Sequence, residues 1–340
     1  MASNANASSA WRKVWTRRGP IACLLLPVAL LHRALMAVRR TLYRNGTLKS
    51  TRVPVPVITV GNVIAGGAGK TPVTIAMARQ LQAEGWRPGI VSRGYGRDSS
   101  DCRAVTAHST AGEVGDEPLL IARTLALPVF VAPQRAQAAQ ALLAAHPGVN
   151  VVICDDGLQH LALARDIEVC VFNSDGIGNG WLLPAGPLRE PWPRKVDLVL
   201  YAGNPPGGQA PQFSLQRRLA EYAVDAAGRK ISLASLRGQP VHAVAAIARP
   251  EDFFAMLRER GLTLAQTHAL PDHDDFREWA AQAPGDGAVI LCTEKDATKL
   301  WPRAPNVLAV PLETELPSAF FHALNALLKR YDQRHGFQIA

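Results

Sequence analysis

The sequence predicts an α/β protein: a parallel sheet covered by helices on both faces, a second and smaller α/β unit, and a basic amphipathic helix in front of both. Three observations lead there. From residue 55 onward, short apolar runs alternate with stretches of helical period. A glycine-rich loop joins the first run to the first helix, and a Gly/Pro-rich stretch, GNPPGGQAP at 203–211, interrupts the rhythm before it resumes. The 340 residues suffice for two cores, and 48% hydrophobic with only 19% charged residues excludes a disordered chain or a solvated coiled coil. Five scattered cysteines (Cys23, Cys102, Cys154, Cys170, Cys292) form no C-x-x-C pair, which argues against a disulfide framework or a zinc site and for a reducing compartment.

The net charge of +9 is concentrated at one end. Residues 1–52 hold ten basic residues and no acid, whereas the remaining 27 basic residues face 28 acidic ones. A nearly neutral body without interleaved basic and aromatic residues excludes nucleic acid as a partner. The apolar run Ile21 to Leu31, interrupted by Pro27, is shorter than the roughly 17 residues a membrane span needs. As a helix it places Val28, Leu31, Leu35, Val38 and Leu42 on one face and Arg33, Arg40 and Arg44 on the other, the pattern of a helix lying on an anionic membrane surface. A helix packed on the body, a cleaved signal peptide and a transit peptide are the competing readings.

The body then reads in order. Strands are expected at Val55 to Val60, Gly89 to Ser92, Val129 to Ala132 and Val149 to Cys154, with helices at Thr71 to Ala83, Pro118 to Ala126 and Ala136 to Ala145. After the break come Val241 to Ile247, Pro250 to Arg260, Gly287 to Cys292 and an amphipathic Pro317 to Tyr331. The division that follows is an arm at 1–50, a first unit at 51–202, a linker at 203–230 and a smaller α/β unit at 231–335, with no internal repeat.

The chemistry begins at the loop. Ile64, Ala65, Gly66, Gly67, Ala68, Gly69, Lys70 and Thr71 lie between a strand and a helix that carries Pro72 in its first turn, the context of a phosphate-binding loop. Its amides suit the phosphates of ATP, Lys70 the outer phosphates and the Thr71 hydroxyl a Mg²⁺ ion. Ile64 stands where the motif has its first glycine. A second metal partner is expected at the end of a neighbouring strand, and Asp155 and Asp156 end Val149 to Cys154. Paired acids there repel unless a cation lies between them. Asp116, an acid ahead of the helix begun by Pro118, reads by itself first as a helix N-cap and second as a candidate base.

GGAGKTP at 66–72, SRGYGR at 92–97, VGDEP at 114–118, DDGLQH at 155–160 and LLPAGPLRE at 182–190 resemble, together and in this order, the tetraacyldisaccharide 4'-kinases. RPEDFF at 249–254, PDH at 271–273 and TEKDATKL at 293–300 extend the resemblance over most of residues 20–331. It implies a P-loop NTPase-like fold and transfer of the γ-phosphoryl group of ATP to the 4'-hydroxyl of a tetraacylated glucosamine disaccharide 1-phosphate. The cytoplasmic face of the bacterial inner membrane is the implied location, held peripherally or by an N-terminal anchor, with no obligate protein partner. It further implies that Asp116 works with His273, that Glu117 joins Thr71, Asp155 and Asp156 around the metal, and that Arg93, Tyr95, Arg135, His160 and Arg189 line the acceptor site. Arg135 and Arg189 are the expected phosphate contacts. Trp181, Leu182 and Leu183 are read as core or acyl-chain contacts, and Lys295 and Asp296 as structural. Ala246 and Ala248 replace expected glycines, and Leu158 replaces a phenylalanine. The alternative is a membrane-associated nucleotide switch with a deviant phosphate loop, which demands a lysine where this chain has Ala65.

Overall fold

The computed structural model describes residues 11, 14–283 and 287–335; Arg12 and Lys13 of the basic arm lie outside them. Two sheets organise the chain. The first has eight strands in the order β3-β4-β2-β5-β1-β6-β7-β8. They are β1 (Val57–Gly61), β2 (Pro88–Ser92), β3 (Arg103–Ala104), β4 (Val129–Val131), β5 (Val151–Asp155), β6 (Ile167–Phe172), β7 (Leu198–Tyr201) and β8 (Gln212–Ser214). All pairs are parallel except β3 with β4.

The apolar runs of β1, β2 and β5 are buried end to end because helices cover both faces. Side chains alternate between the two layers. Ile58, Val60, Ile90 and Ile153 pack with Val73, Met77 and Leu81 of α3 (Lys70–Ala83) and Ile121 of α5 (Asp116–Leu125). Val57, Val91 and Val152 pack with Ala138, Ala139 and Leu142 of α6 (Arg135–Ala145) on the other side. The short α4 (Ala111–Val114) leads into Gly115 and α5.

The second sheet runs β11-β10-β15-β14-β12-β13, from β10 (Tyr222–Val224), β11 (Lys230–Ser232), β12 (Pro240–Ala245), β13 (Thr263–Ala269), β14 (Val289–Thr293) and β15 (Leu308–Val310). Phe253, Phe254 and Leu257 of α7 (Pro250–Glu259) cover one face. Phe276, Trp279 beside it in the short α8 (Arg277–Ala280), and Ala297 and Leu300 of α9 (Glu294–Leu300) cover the other. An antiparallel ribbon of β9 (Gln216–Leu219) and β16 (Leu312–Glu315) stands between the sheets.

Two boundaries differ from the sequence division. The stretch 203–230, expected as a linker, carries β8, β9 and β10, so the first sheet continues past residue 202. The last helix, α10 (Ser318–His335), expected with the C-terminal unit, returns to the first sheet. Phe320, Leu324 and Leu328 recur every four residues and are buried with Leu198, Leu200 and Leu215.

Ahead of the first sheet, α1 (Pro20–Leu24) leads into α2 (Leu26–Arg44). One apolar stripe of α2 faces away from the body, with Val28 52% exposed, Leu31 and Leu35 61% each, and Val38 58%, while Ala29 and Leu26 at its start pack on the body. Leu42, expected on that face, is half-buried. Beyond the contact of Leu26 and Ala29 the helix docks through polar groups, with the His32 ring 3.2 Å from the Arg189 carbonyl oxygen and Arg40 paired with buried Glu190. No described helix is long and apolar enough to cross a membrane.

Candidate active site

The loop after β1 is held by its carbonyl groups. Asn62 donates to the Gly66 oxygen at 3.5 Å, Asn173 at the end of β6 to the Gly67 oxygen at 3.2 Å, and Arg217 of β9 to the Ala68 oxygen at 2.6 Å. Among the described residues no hydrogen bond is donated by the amides of Gly66, Gly67, Ala68 or Gly69. Carbonyls tied back and amides left free at the start of a helix make a cradle for an anion. Gly69 has φ of +69°, a conformation that favours glycine, and a side chain there would meet the Arg217 guanidinium. Ile64 fits where a glycine was expected because its side chain is buried with Leu188 and the neighbouring Ala65 amide donates to the Pro187 oxygen at 2.7 Å. Ala248 closes over Gly67 from the second sheet's side, and Leu158 packs against Gly61, which leaves no room for a side chain at 61.

The strand-end acids flank the loop. Asp155 is fully buried and accepts from Thr74 Oγ1 at 2.8 Å and Thr71 Oγ1 at 3.3 Å. Burial first, then the charges of Glu117 and Asp156, push its carboxyl well above the usual carboxylate range, against the pull of Thr74 and Lys70. Asp156 follows with φ of +50°, a strained conformation for a residue with a side chain. Its carboxylate lies 3.6 Å from Lys70 Nζ and 3.6 Å from the Arg189 guanidinium, while its Oδ1 is buried without a hydrogen bond. Crowded oxygen donors, one orphaned and one destabilised as an anion, fit a hard divalent ion. Among the described residues no group of three or more His, Cys, Asp or Glu side chains gathers for a metal. This is the sparse donor set of Mg²⁺ completed by substrate phosphates. Glu117 lies close enough to act on Asp155 through its charge.

Asp116 and His273, 157 residues apart in the chain, meet at this edge. His273 Nδ1 is 3.0 Å from Asp116 Oδ2, and the same oxygen accepts from Lys299 Nζ at 2.8 Å. Burial would raise the Asp116 carboxyl, but the His273 and Lys299 hydrogen bonds and the Lys295 charge hold it below its ordinary value. It is therefore a buried, ionised acceptor. Gly115 (φ +92°) brings it there by packing directly on Gly94 of the SRGYGR loop. Tyr95 of that loop is exposed, its ring centroid 5.1 Å from that of His273.

The other expected contacts divide. Arg93 and Tyr95 are exposed at the end of β2, and Arg189 reaches Asp156. Arg135 and His160 are committed elsewhere. The Arg135 guanidinium donates to the Pro133 and Asp156 carbonyl oxygens at 3.3 and 3.2 Å and is buried, and the Arg135 amide donates to His160 Nε2 at 3.1 Å. These contacts brace the strained Asp156 turn, and the Arg135 Nε is buried without a hydrogen bond. Trp181 is half-buried with the Arg18 guanidinium 5.3 Å over its ring. Asp296 is structural, accepting from Thr293 Oγ1 at 2.7 Å and the Ala246 amide at 3.1 Å. Asn173 and Arg217 are functional neighbours that no sequence pattern marks, Lys299 is a further one at Asp116, and Lys295, expected to be structural, stands beside His273. For the two lysines, their repeat in TEKDATKL, four residues apart on one helix face, is the available signal.

A family model described as tetraacyldisaccharide-1-P 4'-kinase matches residues 21–329. A curated tetraacyldisaccharide 4'-kinase of Acidovorax sp. (strain JS42) is 64% identical over 317 residues, covering 93% of this chain and 94% of that protein. One from Delftia acidovorans is 56% identical over 326 residues, 96% of each. Among solved structures, an "apo" form of LpxK from Aquifex aeolicus in complex with ATP superposes with a TM-score of 0.78 at 29% identity, over 91% of this chain and 99% of that one.

Proposed function

The chain belongs to the tetraacyldisaccharide-1-P 4'-kinase family, and from that premise we infer how its residues divide the reaction. It is a kinase of lipid A biosynthesis that transfers the γ-phosphoryl group of ATP to the 4'-hydroxyl of a tetraacylated disaccharide 1-phosphate. A nucleotide switch is not favoured: the relatives are kinases, and Ala65 supplies no second loop lysine.

The observation that carries the assignment of roles is the convergence of a free amide cradle, an acid pair and an ionised Asp116 on one sheet edge. The amides of residues 66–69 hold the triphosphate, and Lys70 neutralises its outer oxygens. Thr71, Asp155 and Asp156 would hold Mg²⁺, which would supply charge neutralisation on the phosphates. Asp116 accepts the proton of the acceptor hydroxyl as that oxygen bonds to the γ-phosphorus and the bond to ADP breaks. Arg93, Tyr95 and Arg189 face the acceptor, while Arg135 and His160 hold the acid turn in place.

The outward apolar face of α2 supports a membrane-surface location. An amphipathic helix that docks by its polar face leaves its apolar face for another medium. Where its last turns meet the body, a cleft of about 490 Å³ is lined by Arg44 and Lys195 together with Arg40, Arg165 and Arg194, the last three paired with Glu190 and Glu168.

Incubation of purified protein with ATP, Mg²⁺ and the acylated disaccharide in detergent should yield phosphorylated acceptor. Asp116→Ala should lower kcat on the order of 10²–10⁴-fold with ATP affinity unchanged. A near-normal rate in that variant would remove Asp116 from the chemistry.

A further inference from the structure

Two ammonium groups close on the Asp116–His273 pair from α9. Lys299 Nζ contacts Asp116 Oδ2 at 2.8 Å and donates to the carbonyl oxygens of His273 and Asp274 at 3.0 and 3.1 Å, which uses all three of its protons. Lys295 Nζ donates to Asp272 Oδ1 at 3.1 Å and lies 3.3 Å from His273 Nε2. The two side chains are only 15% and 16% exposed. Burial alone would lower Lys295, but the charges of Asp272, Glu117 and Asp116 outweigh it and keep the group an ammonium.

An ammonium has no lone pair, so the His273 nitrogen facing it must carry one. The neutral ring then bears its proton on Nδ1 and aims it at Asp116 Oδ2, 3.0 Å away. The opposite tautomer would set a donor against a donor at Nε2 and a lone pair against a carboxylate at Nδ1. The backbone of His273 needs holding as well. Its φ of +67° is strained for a residue with a side chain, and the Lys299 bond to its carbonyl and the bond from its amide to the Ala246 oxygen at 3.2 Å fix it.

We propose that Lys295 and Lys299 are positioning residues of the phosphoryl transfer: Lys295 selects the Nδ1–H tautomer of His273, and Lys299 pins the His273 backbone and one oxygen of Asp116, leaving the other oxygen for the acceptor hydroxyl. The charged and aromatic groups facing the pair are Glu117 beside Asp116, Asp272 beside His273, the two lysines of α9, and Tyr95 from the SRGYGR loop. The inference rests on the kinase reading above for its consequence in turnover, though not for its hydrogen bonds.

The test uses full-length protein labelled with nitrogen-15 histidine, without ATP or acceptor, and two-bond proton–nitrogen correlation spectra. The His273 ring is assigned by its loss in His273→Gln. Wild type should show Nε2 unprotonated and Nδ1 protonated. Lys295→Met should mix the two tautomers, and Lys295→Arg, which keeps a donor, should restore the single one. Lys299→Met should keep the tautomer. Both methionine variants should lose kcat on the order of a hundredfold, with the KM for ATP within about twofold, as expected of a misplaced reacting pair. A protonated Nε2 in wild type, an unchanged spectrum in Lys295→Met, or near-normal kcat in both variants would overturn the proposal. If Lys295→Met fails to fold, the wild-type and Lys295→Arg spectra decide the matter. Absence of phosphorylated acceptor with wild type would instead count against the kinase reading and leave the spectra to judge the hydrogen bonds.

Discussion

His160 shows how a single ring can tie the acid turn to pH. Its Nε2 accepts the Arg135 amide, which requires a neutral ring, and burial followed by the charges of Arg135, Arg39, Arg165 and Arg93 pulls its pKa from 6.5 to about 4. As pH falls below 6.5 the unfolded chain takes up a proton that the folded chain refuses until about 4, so the neutral ring's contribution is complete above 6.5 and declines from there to about 4. The melting temperature of wild type should therefore fall across that window more steeply than that of His160→Gln; equal slopes would exclude His160 as the source. At the same scale, Asp155 and Asp156 were readable as a pair because two acids abut an apolar run. That Asp156 turns left-handed, and that Arg135 braces it through a carbonyl group, was not readable: both depend on where α6 stands relative to β5.

Among the elements, α2 has the least ordinary packing. Helices of globular proteins turn an apolar stripe to the core, yet α2 shows its stripe to the outside and fastens His32 and Arg40 to the body. The double variant Leu31→Glu, Leu35→Glu should leave thermal stability within about 0.5 kcal/mol of wild type, since neither side chain is buried. It should also abolish sedimentation with anionic vesicles; undiminished sedimentation would show that the stripe is not the anchor. By contrast β6, inside the first sheet, has no clean strand pattern in the sequence. Glu168 breaks its apolar pattern, and the carboxylate is tolerated because Arg165 and Arg194 pair with it at 3.2 and 2.5 Å. The pairing stabilises an exception to the pattern by which strands are recognised.

In the whole molecule the chain leaves the first sheet after β8, returns through the β9–β16 ribbon and closes with α10 on the first core. The ribbon's ion pairs, Arg218 with Glu313 at 3.0 Å and Glu315 at 2.7 Å, are exposed and add little. The buried α10 face and the contacts of Arg217, Ala248 and Lys299 with the loop and Asp116 join the two sheets more firmly. Unfolding should consequently proceed in one transition. Leu324→Ala, which empties a fully buried position, should shift all of it by about 2–5 kcal/mol. Two transitions in calorimetry, only one of them moved by the substitution, would show that the sheets unfold independently.

The sequence by itself determined the alternating strands and helices, the phosphate loop, the strand-end acids and the concentration of charge in the arm. Each is a pattern of neighbouring residues, set by the periods of helix and strand or by the freedom of glycine. Family motifs added Asp116 with His273, a pairing no local pattern contains. Tertiary structure alone decided that Lys295 and Lys299 stand against that pair, that Arg135 and His160 bond to each other and to the Asp156 turn, and that α10 belongs to the first core. Those outcomes rest on hydrogen bonds and buried surfaces between residues far apart in the chain, where only the folded packing determines which polar group finds which partner.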